Sequence, residues 1–266
     1  MSIHVLRYRQ AFDELYRRYN RREYVHPDPL EFLYAYDDPR DREIVGIVAA
    51  SLAIGRVASI LRSVRLVLDR LGPRPADFLE SGSDEALGRT LADFKHRFFT
   101  GEDVAGLLWG IRRVRKRHGS LEACFAAALA EGDETVLPAL SAFVLELAPA
   151  DGANPFVPDP CRRSACKRLN LYLRWMVRSD AVDPGGWRRV SRARLIIPLD
   201  THMHRIGLAL GLTGRKQANL AAAIEITGAF RRICPDDPVR YDFALTRLGI
   251  RKDTDLDEFI AKCRAL

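Results

Sequence analysis

The stretch Leu195–Gly211, LIIPLDTHMHRIGLALG, sets the framework for the whole chain. An apolar run meets Pro198, and Asp200 then stands before apolar residues that recur at helical spacing. An aspartate at such a position accepts hydrogen bonds from the free N–H groups of the first helical turn, and the helix dipole favours its negative charge. The pattern predicts an ionised Asp200 fixed at the start of a buried helix. A helix cap without any chemical role is the simpler alternative.

Helical periodicity continues through most of the chain. Residues Arg42–Leu71 give the strongest signal and predict two helices broken near Gly55, the first apolar on nearly every side and therefore central and buried. Thr100, with Asp103 three residues later, predicts a capping box at the start of another helix. The sequence shows no convincing alternating strands and no internal repeat. The predicted fold class is all-α. Further helices are expected at residues 3–19, 101–117, 120–131, 134–148, 165–178 and 216–234, near Asp242, and after Thr254.

A proline-rich segment divides these helices into two groups. Residues 149–164 carry four prolines and little periodicity, which is typical of a connection between lobes. We therefore expect one all-α unit over residues 1–266, built from two lobes. The first lobe is mainly residues 40–148, and the second is residues 165–266.

Composition excludes several classes of protein. The chain has 266 residues, of which 47% are hydrophobic and 29% charged, and no apolar run approaches the ~20 residues that span a bilayer. The first twenty residues alternate apolar and charged side chains, unlike a signal peptide. Five scattered cysteines, an odd number, favour a reducing environment. We predict a cytoplasmic protein with no membrane association, and nothing indicates an obligate protein partner.

Positive charge is concentrated in one part of the chain. The net charge is +7, yet the segment Arg162–Arg194 alone holds nine arginines and one lysine against two aspartates, so the remainder is close to neutral. A second basic cluster spans Arg112–Arg117. Concentrated arginine is typical of a surface that binds a phosphate-rich partner, although solvated helix faces give the same pattern. The candidates for binding such a partner, which would be DNA if the resemblance described below holds, are Arg162, Arg163 and Arg168.

Lys167 opens the helix predicted for residues 165–178. The positive end of a helix, the neighbouring arginines and partial burial against Tyr172 or Trp175 would all disfavour the charged form of its amine. A lowered pKa is what an amine nucleophile requires. A lysine that contacts phosphate or lies along an apolar surface is the common alternative.

The combination of a helix-opening lysine and a later Asp-Thr-His resembles the helix-hairpin-helix (HhH-GPD) DNA glycosylase superfamily. There a VDTHV-x-R stretch carries the catalytic aspartate, and a preceding helix supplies a catalytic lysine in members with lyase activity. The stretch IPLDTHMHR matches the former, which assigns these roles to Asp200 and Lys167. The sequence is most similar to the archaeal 8-oxoguanine glycosylase branch (AGOG), and also to a bacterial family of unknown function with KRLNL, RWMVR and PLDTH blocks.

The sequence departs from that superfamily in three places. The glycine-bearing hairpin LPGVG-x-KTA is replaced by PDPCRRSACKRLN, so DNA anchoring by that hairpin does not transfer. The glutamine common at the end of the first buried helix is missing near Ser51–Ala53. The four-cysteine iron–sulfur loop of the endonuclease III branch is also missing.

The resemblance implies a DNA repair glycosylase, with a cleft between its two lobes, that excises a damaged base such as 8-oxoguanine from duplex DNA. Lys167 would attack the sugar and then support strand cleavage, Asp200 would stabilise the cationic sugar, and no cofactor is implied. Asp242, on a helix similar to the superfamily's C-terminal one, is the candidate for hydrogen-bonding the extruded base, with a helix cap or salt bridge as the alternative. His202 and Arg205 are candidates for orienting the substrate or contacting phosphate, and packing roles fit His202 equally.

Two other interpretations compete with an enzyme. A non-catalytic nucleic-acid-binding protein on the same scaffold would explain the charge without a tuned lysine. A metal site built from Asp200, His202, His204, Cys161 and Cys166 is disfavoured, because side chains two apart on a helix diverge and the cysteine spacing is loose for zinc. We therefore predict no metal ligands.

Overall fold

The structure of the protein, a computed structural model, describes residues 5–148, 154–162, 164–251 and 254–265. These residues form thirteen α-helices, five short 3-10 helices and one two-stranded hairpin, so the all-α prediction is confirmed. The α-helices are α1 (Arg9–Tyr19), α2 (Pro39–Ser51), α3 (Val57–Leu71), α4 (Pro75–Ser81), α5 (Asp84–Leu91), α6 (Gly101–His118), α7 (Leu121–Ala127), α8 (Leu137–Leu147), α9 (Lys167–Val177), α10 (Thr201–Ala209), α11 (Leu220–Ile233), α12 (Asp242–Ile250) and α13 (Leu256–Arg264).

The remaining elements are short. The 3-10 helices cover Leu6–Tyr8, Arg22–Tyr24, Pro29–Ala35, Pro160–Arg162 and Arg192–Arg194. Strands β1 (Lys95–His96) and β2 (Phe99–Thr100) pair antiparallel, with Lys95 opposite Thr100. Sequence patterning missed this hairpin because two-residue strands leave no alternation to detect.

The central helix is α2, as the sequence predicts. Its residues from Glu43 to Ser51 are all buried, and it packs along α9. Gly46 allows this close packing, since a Cβ there would lie 3.1 Å from a ring carbon of Tyr172 on α9. The predicted break is also found, because Gly55 has a φ of +105° in the turn that separates α2 from α3. The two segments assigned to different lobes therefore meet at the centre of the protein.

The buried carboxylate of Glu43 connects α2 by hydrogen bonds to parts of the chain that are distant in sequence. Glu43 accepts hydrogen bonds from the N–H groups of Leu121 (3.1 Å) and Glu122 (2.8 Å) at the start of α7, and from Nε1 of Trp187 (2.8 Å). Trp187 follows two glycines with positive φ, which turn the chain back after α9. Burial raises the pKa of Glu43, although these donors oppose the rise.

Part of the arginine-rich segment lies inside the protein, which corrects its interpretation as one phosphate-binding face. Arg174 on α9 and Arg178, the residue that follows the end of α9, are both buried. Arg174 pairs with Asp183 and Asp242, while Arg178 pairs with Asp183 and Asp237. The free-energy cost of burying these two arginines is offset by their carboxylate partners. The net charge of the segment does not show where those carboxylates lie in the fold.

The second basic cluster is also engaged within the protein. Arg112 donates to the carbonyl of Gly82 at 2.6 Å, and Arg113 donates to the carbonyl of Ala148 at 2.6 Å. Arg115 pairs with Glu80 at 2.5 Å. These three arginines therefore bind oxygen atoms of the protein itself, whereas the alternative expected from the sequence was a solvated helix face.

Several helix ends differ slightly from the sequence prediction. The helix expected from residue 216 begins at Leu220, where the side chain of Asn219 accepts from the N–H of Ala222. Asp255, rather than Thr254, caps the last helix by accepting from two N–H groups. Within the predicted connection, residues 154–162 are described and end in a 3-10 helix, while residues 149–153 and 163 lie outside the described part.

The N-terminal helix α1 packs against the C-terminal half of the chain. It contacts α12, and the hydroxyl of Tyr241 donates to Asp13 at 2.8 Å. The hydroxyl of Tyr16 donates to Asp180 at 2.9 Å. Across the described ranges, none of the helices has both the length and the apolar character to cross a membrane.

Candidate active site

Asp200 is fixed at the start of α10, as the sequence predicts. Its Oδ1 accepts from the N–H of Met203 at 2.8 Å, and its own backbone is extended. The residues before it, from Leu195 to Leu199, are buried and hold the approach to the helix in place. One carboxylate oxygen is thereby committed to the cap, and the carboxylate as a whole is oriented.

Lys167 is the first residue of α9. The preceding Cys166 has a φ of +46°, in the left-handed region, so the chain turns sharply into the helix. Burial lowers the pKa of Lys167, and this effect outweighs the opposing charges of Asp200, Asp28 and Asp242. Among the described residues its Nζ forms no hydrogen bond or ion pair. The lysine is thus an unpaired amine in a setting that favours its neutral form.

Lys167 and Asp200 line the same cavity, which has a volume of about 260 Å³. This lies just below the ~300–1,000 Å³ typical of pockets for drug-sized ligands, which suits a small group. The walls come from the turn after α2, from α3, α9, α10 and α12, and from the segment before the 3-10 helix at Pro29. The lining residues are Pro27, Asp28, Pro29, Ala53, Gly55, Val57, Ile60, Lys167, Leu171, Arg174, Pro198, Asp200, His202, Asp242, Thr246, Arg247 and Ile250.

Asp242 lies in the wall formed by the first turn of α12 and is 2% exposed. Its Oδ2 accepts from Nη1 of Arg174, whereas its Oδ1 is buried and has no hydrogen-bond partner among the described residues. Burial raises the pKa of Asp242 to about 6, while Arg174 opposes the rise. An unsatisfied acceptor in a cavity wall is costly unless a ligand supplies a donor.

The two further substrate-binding candidates, His202 and Arg205, lie in different places. His202 lines the cavity and packs on α12, where a Cβ at Gly249 would approach its Nδ1 to 2.4 Å, so only glycine leaves room for the ring. Arg205 is exposed, pairs with Asp257 at 2.5 Å and does not line the cavity.

The candidate DNA-binding residues also differ in their surroundings. Arg168 is half-buried and donates to the carbonyls of Ser51 and Pro155, both at 2.8 Å, so it joins α9 to α2. Arg162 is exposed at the end of a 3-10 helix. Arg163 lies outside the described residues.

Three charged residues of the cavity wall, Asp28, Arg174 and Arg247, were not expected there from the sequence. Asp28 accepts from Nη2 of Arg247 at 2.9 Å, and both line the cavity. Leu171 and Arg174 follow Lys167 by four and seven residues, so a helical projection would have placed all three side chains on one face of α9. No local pattern would have brought Asp28 to this site.

The chain matches the sequence model of a known protein family over residues 28–251. That family is described as "Protein of unknown function (DUF2400)". The chain belongs to the DUF2400 family. Comparisons with curated proteins and with solved structures find no match. The DUF2400 region begins at Asp28 and contains every lining residue of the cavity except Pro27.

In this DUF2400 member the two histidines of the Asp-Thr-His-Met-His stretch diverge. His202 lies at the cavity, whereas Nε2 of His204 donates to the carbonyl of Arg215 at 2.8 Å. Within the described ranges, no group of three or more His, Cys, Asp or Glu side chains is arranged to hold a metal ion.

Proposed function

We propose that the protein is a DNA repair glycosylase with lyase activity at the resulting abasic site, in which Lys167 is the nucleophile and Asp200 the assisting carboxylate. One observation carries the proposal: an unpaired amine with a lowered pKa lines the same small cavity as a carboxylate fixed by a helix cap. Nucleophile and carboxylate around one space that fits a small group are the parts that such chemistry requires.

The chemistry follows from these groups. A damaged base leaves its stack and enters the cavity, at a cost of a few kcal/mol for unstacking. The neutral amine of Lys167 attacks the anomeric carbon of the sugar, and the bond from that carbon to the base breaks, with the electron pair leaving on the base. The sugar ring then opens to a Schiff base on Lys167. Loss of a sugar proton and of the 3′ phosphate by β-elimination cleaves the strand.

Asp200 has two tasks in this scheme. Its negative charge stabilises the positive charge that develops on the sugar as the base leaves. It also accepts a proton from the amine of Lys167 as the new bond forms. Since the helix cap already holds the carboxylate, little reorganisation is needed when the charge appears.

Asp242 supplies the base-recognition group. Its free Oδ1 accepts a hydrogen bond from an N–H on the extruded base. Position N7 of 8-oxoguanine carries such an N–H, whereas N7 of guanine is an acceptor. A carboxylate acceptor therefore favours the oxidised base, because guanine would place two acceptors against each other.

The proposed DNA partner is held by arginines at the surface, of which Arg162 is exposed. All five cysteines are free, which suits the reducing cytoplasm that the sequence predicts.

A panel of duplexes bearing 8-oxoguanine, uracil or an alkylpurine tests this function, with base release and borohydride trapping as readouts. We expect a covalent protein–DNA adduct with at least one lesion, because reduction captures a lysine Schiff base. Lys167→Ala abolishes the adduct, whereas Lys216→Ala, at an exposed lysine away from the cavity, retains it. Tight DNA binding with neither base release nor adduct on any lesion would support the non-catalytic alternative.

A further inference from the structure

A second cavity is formed by α4, the start of α5 and α6, and none of the described residues lines both it and the cavity that contains Lys167. Its volume is about 700 Å³, within the ~300–1,000 Å³ typical of pockets for small ligands. Four cationic side chains of α6 and two carboxylates line it, which gives a net charge of +2. The cations belong to the basic cluster Arg112–Arg117, for which the proposed function has no role. Their charge favours an anionic occupant.

Two of the four cations have a carboxylate partner and two do not. Arg112 and Arg115 each pair with a carboxylate of the wall. Arg113 donates only to backbone carbonyls at the end of α8, at 3.0 and 2.6 Å, and Lys116 is exposed; neither forms an ion pair with any described residue. Since Arg113 and Lys116 are three residues apart on one helix, their uncompensated charges lie on the same side of α6.

The buried polar atoms of this wall that lack a partner among the described residues are all hydrogen-bond donors. They are Nε1 of Trp109 and both Nε and Nη1 of Arg115. Arg115 is 6% exposed, and its Nη1 lies 3.8 Å from Oε2 of Glu43, which is too far for a hydrogen bond. A buried N–H group without an acceptor is costly, so a ligand that brings acceptor oxygens would stabilise the wall.

The cavity also has an apolar side. Leu79 of α4 is buried in its wall, beside the half-buried indole of Trp109 on α6. The indole lies near α5, where a Cβ at Gly88 would be 3.9 Å from its Cζ2. Indole rings stack well on planar ligand groups. Because a phosphate group alone would fill only a small part of the volume, the wall fits a ligand with an anionic end and a planar apolar end.

We propose that this cavity binds a nucleoside phosphate, with the phosphate held by Arg113 and Lys116 and the base stacked on Trp109. The phosphate brings both the negative charge and the acceptor oxygens that the wall lacks. The base brings the planar ring, and stacking on an aromatic side chain tolerates any base. The site is separate from the cavity of Lys167, so the inference does not depend on the proposed function.

Isothermal titration calorimetry tests the ligand class, with AMP and GMP as probes. Adenosine, ribose 5-phosphate and inorganic phosphate serve as their separate parts. We expect at least one of the two nucleotides to bind about tenfold or more tightly than any of the parts, because only the whole nucleotide uses both the cations and the indole.

The variants test where the nucleotide lies. Lys116→Ala should weaken its binding about tenfold or more, and Lys116→Arg should retain it. Arg117→Ala is the matched control, because Arg117 is the next residue of α6, is exposed and does not line the cavity; it should change the affinity by less than about twofold.

Trp109→Ala separates stacking from charge. It should weaken binding of the nucleotide about tenfold or more and leave the affinity for ribose 5-phosphate unchanged. Trp109→Phe, which keeps a ring but removes the Nε1 donor, should fall between the wild type and Trp109→Ala. Thermal unfolding shows whether each variant keeps the fold, and Lys116→Ala, at an exposed position, preserves the test if Trp109→Ala does not fold.

Four results would overturn the proposal. The first is no binding of either nucleotide at millimolar concentration. The second is inorganic phosphate binding as tightly as the nucleotides, which would indicate a simple anion site. The third is nucleotide binding that is lost in Lys167→Ala but not in Lys116→Ala, which would place the ligand in the other cavity. The fourth is displacement of the nucleotide by duplex DNA whose own binding is weakened equally by Lys116→Ala, which would assign the cavity to a nucleic-acid backbone.

Discussion

At the scale of single residues, the protonation of Lys167 controls the proposed chemistry. The ammonium form has no free electron pair, so the rate of base release should rise with pH as the proton is lost. Because burial lowers the pKa of Lys167, we expect this rise below the ordinary lysine value of about 10.4. Single-turnover rates measured across pH locate the rise, and a midpoint at the ordinary value would contradict the structure.

Asp242 provides a direct test of how neighbouring charges affect the pKa of Lys167. Its carboxylate favours the ammonium form of Lys167, so Asp242→Asn should lower the pKa of Lys167 further. We therefore expect the variant to have a lower maximal rate, because base recognition is impaired, and a rise in rate at lower pH than the wild type. The single-turnover profile separates the two effects. A rise displaced to higher pH would mean that Asp242 acts on Lys167 in some other way.

Residue-level prediction from the sequence succeeded where the cause is local. The cap at Asp200 and the place of Lys167 in the first turn of α9 both follow from neighbours within a few positions. The burial of Arg174 cannot be predicted from its neighbours in sequence. The sequence around an arginine does not distinguish one that binds phosphate from one that pairs with a carboxylate such as Asp183. Its carboxylate partners are distant in the fold and only the tertiary structure identifies them.

At the scale of helices, close packing of α6 on the end of α8 depends on Gly110. A Cβ at this position would lie 2.1 Å from the carbonyl oxygen of Leu147, which is backbone and cannot rotate away. We expect Gly110→Ala to reduce the free energy of unfolding by about 1–3 kcal/mol, the usual cost of overpacking. Urea denaturation measures the change.

Gly228 offers the matched control within α11. A Cβ there would meet nothing within 4 Å, and its φ is ordinary for a helix. The same substitution, Gly228→Ala, should therefore stabilise the protein by ~0.5–1 kcal/mol, since alanine has the higher helix propensity. Equal effects of the two substitutions would show that the contact at Gly110 relaxes without cost.

The positions of most helices could be predicted because helix caps and hydrophobic periodicity depend on residues that are close together in sequence. The Thr100–Asp103 capping box and the break at Gly55 appear where they were expected. The hairpin that follows α5 was missed, and it holds its shape through His96, whose partners Ile54 and Ser63 are far away in sequence. Elements fixed by such long-range contacts leave no local signature.

At the scale of the whole molecule, the buried ion pairs of Arg174 and Arg178 connect α9 with α12 and with two loops. Arg174→Met removes one cation and leaves Asp183 and Asp242 with fewer partners in a buried setting. Breaking such a pair from one side typically costs about 3–5 kcal/mol. We expect a loss of that order in the free energy of unfolding, measured by urea denaturation.

Arg205 supplies the comparison at the surface. It pairs with Asp257, but the two side chains are 57% and 76% exposed. Water screens such a pair, so Arg205→Ala should change the free energy of unfolding by less than ~1 kcal/mol. Similar losses for the two variants would indicate that the network around Arg174 is replaceable by apolar packing.

The residues that line the cavity extend in sequence from Pro27 to Ile250. A nascent chain on the ribosome that has not yet produced α12 lacks Asp242 and one side of the enclosure. The burial that lowers the pKa of Lys167 is therefore complete only late in synthesis, once nearly all of the matched region has emerged.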